Sequence, residues 1–305
     1  MHLSHISVLA DHNDYCGEAP LWDERAQILY WSDIARKRVY RCTWPGREQI
    51  LLQEGFEVSG LVCHESGGFI SVNSAGVWFW DGGERKHLLA GQSNQNCCGL
   101  NDCIADPEGR VLSGSCFYDG TREDYPLGSL FCIDTDASVR IIDDGIRLSN
   151  GLGFSPDNRT LYLADSAARL IYAYDYKPSD GSVSNRRVFL RVPDDEGLPD
   201  GLTVDAEGFV WSAQWFGAGV VRYDPDGKLE RRIPIPACQT SSVAFGGRDL
   251  TDVFVTSASL LDALPLIPPS LEPSKVYIGG RLFHFNLGIP GKVEYRARIV
   301  ERTES

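Results

Sequence analysis

Six polar residues, Glu18, Ser59, Asn101, Asn150, Asp200 and Ser241, each open a copy of one short phrase, at spacings of 41, 42, 49, 50 and 41 residues. The phrase is clearest in Asn150-Gly-Leu-Gly-Phe154-Ser-Pro-Asp-Asn158, and the segment starting at Glu18-Ala-Pro-Leu-Trp22 matches it without gaps. Glu18, Asn150 and Asp200 supply two carboxylates and an amide carbonyl, all hard oxygen donors, and Asn101 stands at the same level of a fourth copy. Such a set suits Ca²⁺, Mg²⁺ or Mn²⁺; Zn²⁺ also binds carboxylates, but no histidine accompanies these. The competing role is structural, since Asn, Asp and Ser cap strands and hold turns through side-chain bonds to backbone. A repeat kept only for stacking should repeat its structural residue, whereas here the apolar scaffold recurs and the openers differ. By that argument Ser59 and Ser241 stay nearer the structural role.

A spacing of this size is the period of a propeller blade. Each copy carries an apolar run rich in β-branched and aromatic residues after a turn dipeptide, as in Gly208-Phe-Val-Trp211, Gly76-Val-Trp-Phe-Trp80 and Arg159-Thr-Leu-Tyr-Leu163. These read as strands. Asp81-Gly82, Glu108-Gly109, Asp180-Gly181 and Asp226-Gly227 supply hairpin turns. The expected fold is all-β: a six-bladed β-propeller with a central channel metal site, one domain over residues 1–305. The run 3–9 and the run 281–287 are expected to share the last blade, so that both ends of the chain close the ring. The Pro-rich stretch 263–274 reads as a surface loop, because proline cannot donate to a sheet ladder.

Composition narrows the partners. Hydrophobic residues make up 43% of the chain and charged residues 23%, ordinary for a folded domain, and a net charge of −13 without a Lys/Arg cluster argues against nucleic acid. No window resembles a signal peptide or a membrane span, so the expected compartment is the cytoplasm, with no membrane partner. Nine cysteines in such a compartment are expected to be reduced. Cys97, Cys98, Cys103 and Cys116 lack the paired spacing of a structural zinc site. The six histidines show no metal spacing, there is no G-x-S-x-G elbow, and Asp224-Pro-Asp226-Gly227 is a hairpin turn.

Cys16-Gly-Glu18-Ala-Pro20, Asn101-Asp102 with Asp106-Pro107-Glu-Gly109, Ser149-Asn150-Gly-Leu152 and Pro199-Asp200-Gly-Leu202 resemble the SMP-30/gluconolactonase/luciferin-regenerating-enzyme family, in the family's order and over nearly the whole chain. The resemblance implies one divalent metal, Ca²⁺ first, held by Glu18, Asn150 and Asp200. It implies that Asn101 touches substrate or completes the metal site, with Tyr118 or Asp119 as further substrate contacts. Trp215 and Phe216 either wall the pocket or pack beneath it. Where the family often carries an arginine that contacts substrate, this chain has Gly99. The implied activity is metal-dependent hydrolysis of a sugar-acid lactone, with Asp200 as general base and a small-molecule lactone as the partner of a monomer or small homo-oligomer. The rivals are an esterase or phosphotriesterase using the same site, and a non-enzymatic calcium-binding regulatory protein.

Overall fold

A computed structural model describes residues 6–83, 86–91, 99–116, 126–259 and 279–300. Every regular element in them is a strand, and none is a helix long and apolar enough to cross a membrane. The chain starts with β1 (Ser7–Ala10), which belongs to the last blade. Blade one is β2 (Gly17–Asp23), β3 (Ile28–Asp33), β4 (Arg38–Thr43) and β5 (Gln49–Glu54). Blade two is β6 (Gly60–Cys63), β7 (Phe69–Asn73), β8 (Gly76–Trp80) and β9 (Lys86–Gly91), and blade three is β10 (Gly99–Ala105), β11 (Val111–Cys116), β12 (Gly128–Ile133) and β13 (Val139–Ile146). Blade four is β14 (Ser149–Phe154), β15 (Thr160–Asp165), β16 (Leu170–Lys177) and β17 (Ser182–Arg191). Blade five is β18 (Leu198–Val204), β19 (Val210–Trp215), β20 (Gly219–Tyr223) and β21 (Leu229–Pro234). Blade six is β22 (Gln239–Gly246), β23 (Asp252–Ala258) and β24 (Leu282–Asn286), with β1 completing it in the order β22-β23-β24-β1. The protein is a six-bladed β-propeller.

The β1–β24 pairing is antiparallel, Ser7 opposite His284 and Val8 opposite Phe283, so the last sheet is built from both ends of the described chain. The Pro-rich stretch 263–274 lies outside the described residues.

The hydrophobic core is divided among the seams between blades. Trp31, Tyr40 and Leu29 of blade one meet Phe254 and Leu282 of blade six, while Tyr30 and Leu21 meet Leu61, Phe69 and Trp80 of blade two. The remaining seams are filled in the same way, for example by Val72 against Leu100 and Cys103, Leu112 against Phe154, Tyr162 against Val204, and Trp211 against Phe245. Outermost strands have little to bury: Ile141 of β13 and Val188 of β17 are exposed. Cys42, Cys63, Cys103, Cys132 and Cys238 are free and buried in these seams or next to them.

One buried carboxylate in this framework lacks adequate support. Asp14, in the β1–β2 connection, is 2% exposed. Its Oδ2 accepts a bond from Trp31 Nε1 at 3.1 Å, but its Oδ1 has no partner. Burial, and then the nearby Asp33 carboxylate, raise its pKa from 3.8 to about 7. A carboxyl whose folded pKa lies above its unfolded one favours folding at low pH, and that contribution is lost as pH rises through the folded value. Asp14→Asn, which can still accept the Trp31 bond, is therefore expected to gain stability relative to wild type between pH 4 and pH 8, by on the order of 2 kcal/mol at the upper end. Thermal melts of both proteins across that range check it; a difference that does not grow with pH would refute it.

Candidate functional site

The openers lie at the start of the innermost strands, and several of them tie one blade to the next. Ser59 Oγ lies 2.8 Å from the Leu100 carbonyl, Asn101 Nδ2 donates to the Ser149 carbonyl at 2.9 Å, and Ser241 Oγ donates to the Gly17 carbonyl at 2.6 Å. Ser166, in the β15–β16 turn, does the same to Pro199 at 2.6 Å. In each case the acceptor is the residue just before the next blade's opener. Ser59 and Ser241 thus have structural roles, and Asn101 has one through its amide nitrogen.

The inner strands share a second feature. In β2, β10, β14, β18 and β22 one extra residue is inserted at the opener, so the register against the second strand slips between Glu18 and Leu21, Leu100 and Cys103, Ser149 and Leu152, Pro199 and Leu202, and Thr240 and Ser242. In β6 the pairing is regular. An inserted residue breaks the alternation of side chains between faces, so consecutive residues can point the same way. Blade three uses this: Asp102 lines the channel one position after Asn101. Gly151, the residue after Asn150, shows why a side chain there is otherwise hard to place, since a Cβ on it would lie 2.1 Å from the Leu202 backbone nitrogen of blade five.

The channel therefore holds three carboxylates where the openers alone give two. Burial, followed by the charge of Asp102, raises the pKa of Glu18 to about 8; its Oε2 accepts one bond, from the Ala19 N–H at 3.1 Å. Burial raises Asp102 to about 6, against the pull of the Cys103 N–H, which donates to its Oδ1 at 2.7 Å. Asp200, 4% exposed, is raised well above the ordinary carboxylate range by burial first, then by Glu18 and Asp102, with bonds from Asn150 and the Gly201 backbone partly offsetting this. Its Oδ1 is buried without a partner. Asn150 Nδ2 is held 3.2 Å from Ser166 Oγ, which leaves its carbonyl oxygen as the uncommitted atom.

The structure thus brings Glu18, Asn150, Asp200 and Asp102 into one electrostatic unit. An orphaned carboxylate oxygen among hard donors that repel one another fits a divalent cation. Among the described residues no three His, Cys, Asp or Glu side chains converge into a complete metal cage, so the candidate set is two carboxylates and the Asn150 amide.

Trp215 ends β19 and is half-buried; its indole Nε1 is buried without a partner. Phe216 is 6% exposed and packs with Leu198 and Cys238, making it part of the support beneath Trp215. Tyr118 and Asp119 lie outside the described residues. Gly99 has a φ of +135°, and a Cβ there would stand 2.6 Å from Ser74 Cα, so the blade-two turn occupies the space that any side chain would need. Asp102 was missed by the repeat comparison, which takes one residue per copy. Its sequence signal is the acidic residue that follows the amide opener in the Asn101-Asp102 pair.

A six-bladed propeller whose channel gathers acidic and amide oxygens at the head of its inner strands defines the class to which this protein belongs. Residues 16–259 match the SMP-30/Gluconolactonase/LRE-like region, and the chain belongs to that family. It is 34% identical to pentonolactonase XacC of Haloferax volcanii over 300 residues, covering 96% of this chain and 98% of that protein. It is 33% identical to regucalcin of Danio rerio over 253 residues, covering 82% and 85% of the two chains. A solved structure of luciferin-regenerating enzyme superposes with a TM-score of 0.86 at 28% identity, over 97% of this chain and 100% of that one.

Two outcomes are expected from this geometry. In chelator-treated protein at pH 8, above the raised pKa of Asp102, Asp102→Asn removes a buried negative charge that also repels any charge on Glu18 and Asp200, and is expected to raise stability by about 1 kcal/mol or more; a lower melting temperature would show that the carboxylates do not repel as described. Gly99→Arg is expected to destabilise by about 2 kcal/mol or more, because the Ser74 turn must move and the backbone is in a conformation that suits glycine, and denaturant titration measures it.

Proposed function

We propose that this protein is a hydrolase that opens sugar-acid lactones, using one divalent metal ion, Ca²⁺ as first choice, held by Glu18, Asn150 and Asp200. The observation that carries the reading is the buried, partnerless Asp200 Oδ1 facing a channel with two further carboxylates. The name of the pentonolactonase relative, which aligns end to end with this chain, supports the substrate class. The free thiols of Cys42, Cys63, Cys103, Cys132 and Cys238 suit a cytoplasmic setting.

When bound, the ion supplies Lewis-acid polarisation of the lactone carbonyl. The chain's own groups do the rest. Asp200 takes a proton from the attacking water as the new C–O bond forms, and returns it to the ring oxygen as the ring C–O bond breaks, so the product is the open hydroxy acid. A metal ligand is a weaker base than a free carboxylate, and the negative charges of Glu18 and Asp102 counter that loss by favouring the protonated form of Asp200. Asn101, whose amide nitrogen is committed to Ser149, offers its carbonyl oxygen to a sugar hydroxyl, and the half-buried ring of Trp215 walls the pocket.

The test is proton release from a panel of five- and six-membered aldonolactones, with protein stripped by chelator and resupplied separately with Ca²⁺, Mg²⁺, Mn²⁺ or Zn²⁺. Turnover is expected only with metal and is expected to be lost in Glu18→Gln. Asp200→Asn should keep much of the metal affinity, read by calorimetry, while turnover falls by roughly 10²-fold or more. Turnover that survives in Asp200→Asn would remove it as the base, and no turnover on any lactone would overturn the substrate class.

A further inference from the structure

After β24 the chain stays on the ring. Residues 287–300 run across the propeller and meet every blade at the same place, the turn that follows its innermost strand. In blade six the Gly291 N–H donates to the Leu250 carbonyl at 2.8 Å, and in blade five the Ala206 N–H donates to the Pro290 carbonyl at 2.9 Å. Asn158 Nδ2 of blade four donates to the Tyr295 hydroxyl at 2.6 Å. Arg296 reaches Asp23 at 2.5 Å and Glu24 at 3.1 Å in blade one. Ala297 bonds through its backbone to Cys63 and Glu65 of blade two, both at 2.8 Å, and the Arg298 N–H donates to the Gly109 carbonyl of blade three at 2.8 Å. These turns lie at the far ends of the strands that begin with Glu18, Asn101, Asn150 and Asp200, so the segment covers the face opposite the acidic cluster.

The segment is also embedded. Ala297 and Ile299 are 0% and 2% exposed and belong to the seam core between blades two and three. Glu294 and Tyr295 lie across the axis, bounding one chamber together with residues from all six blades, among them Leu21, Leu61, Asp102, Leu152, Thr203 and Ser242. The Glu294 carboxylate is neutralised by Lys292 Nζ at 2.9 and 2.8 Å, so the floor adds no uncompensated negative charge to the three carboxylates above it.

We infer that residues 287–300 are a strap that clamps all six blades and seals the rear of the channel, so that substrate, product and any metal ion pass only through the mouth beside Glu18 and Asp200. The inference is independent of which reaction the mouth supports. Cys103, which lines the same chamber, is a built-in reporter of rear access. The full chain and the double variant Glu294→Ala/Tyr295→Ala are alkylated with iodoacetamide under native conditions, and each cysteine is followed by mass spectrometry. Cys42, fully buried in the seam between blades six and one, reports global opening. Opening the floor is expected to speed Cys103 modification at least about tenfold and leave Cys42 unchanged. An unchanged Cys103 rate, or a Cys42 rate that rises in step, overturns the seal. A second variant ending at Leu287 tests the clamp: its melting temperature is expected to fall by roughly 10 °C or more, or the chain to fail to fold, and an unchanged melting temperature overturns it.

Discussion

The structure depends on apolar packing between neighbouring sheets. Each blade can bury its faces only against the blades beside it, which is why the core is split among the seams and why Trp31, Trp80 and Trp211 are each fully enclosed well away from the channel. The wedge of side chains in a seam sets the angle between blades, and six such angles must complete one turn. The innermost strands are then held close around a narrow axis, and their first residues face one another. The hydrogen bonds from Ser59, Asn101, Ser166 and Ser241 to the next blade fix the heights of Asn101, Asn150, Asp200 and Glu18 by holding the residue before each.

Three carboxylates gathered by that geometry make an energetic conflict that the seams must withstand. Among the described residues, the desolvation of Glu18, Asp102 and Asp200 and their mutual repulsion are relieved by no ion pair within the site; backbone N–H groups and the Asn150 amide help. Stability stored in the blade interfaces keeps these groups together, and a cation or protons must compensate their charge. In blade five, by contrast, buried Asp205 is paired with Arg222 at 2.7 Å. Three unpaired carboxylates gathered in one channel are what is expected where binding rather than folding determines the residues.

Most of the ring was legible in the sequence, because the apolar phrase and its turns recur and each copy must become the same sheet. The common location of Glu18, Asn150 and Asp200 follows from that recurrence alone. Asp102 was not legible, since its side chain faces the channel only because one extra residue interrupts the pairing of β10, and an insertion of that kind has no composition of its own. The reason for Gly99 was hidden for a similar cause: the sequence shows a missing side chain, while the obstacle is the Ser74 backbone of another blade. Residues 287–300 belong to no repeat and form almost no regular structure, so nothing in their pattern announces that they touch every blade.

The pairing of β1 with β24 bears on how the chain reaches this state. Ser7 and His284 are separated by 277 residues, yet they are neighbours in one sheet. While the chain is being made, β1 has no partner until the last strands are available, and blades one to five can assemble only as an open arc with two bare sheet faces. Closing so long a loop costs chain entropy that is recovered only when the two end seams form together. Folding should accordingly be slow and end in a single cooperative step, and the open arc, with its uncovered faces, is the species most prone to aggregate.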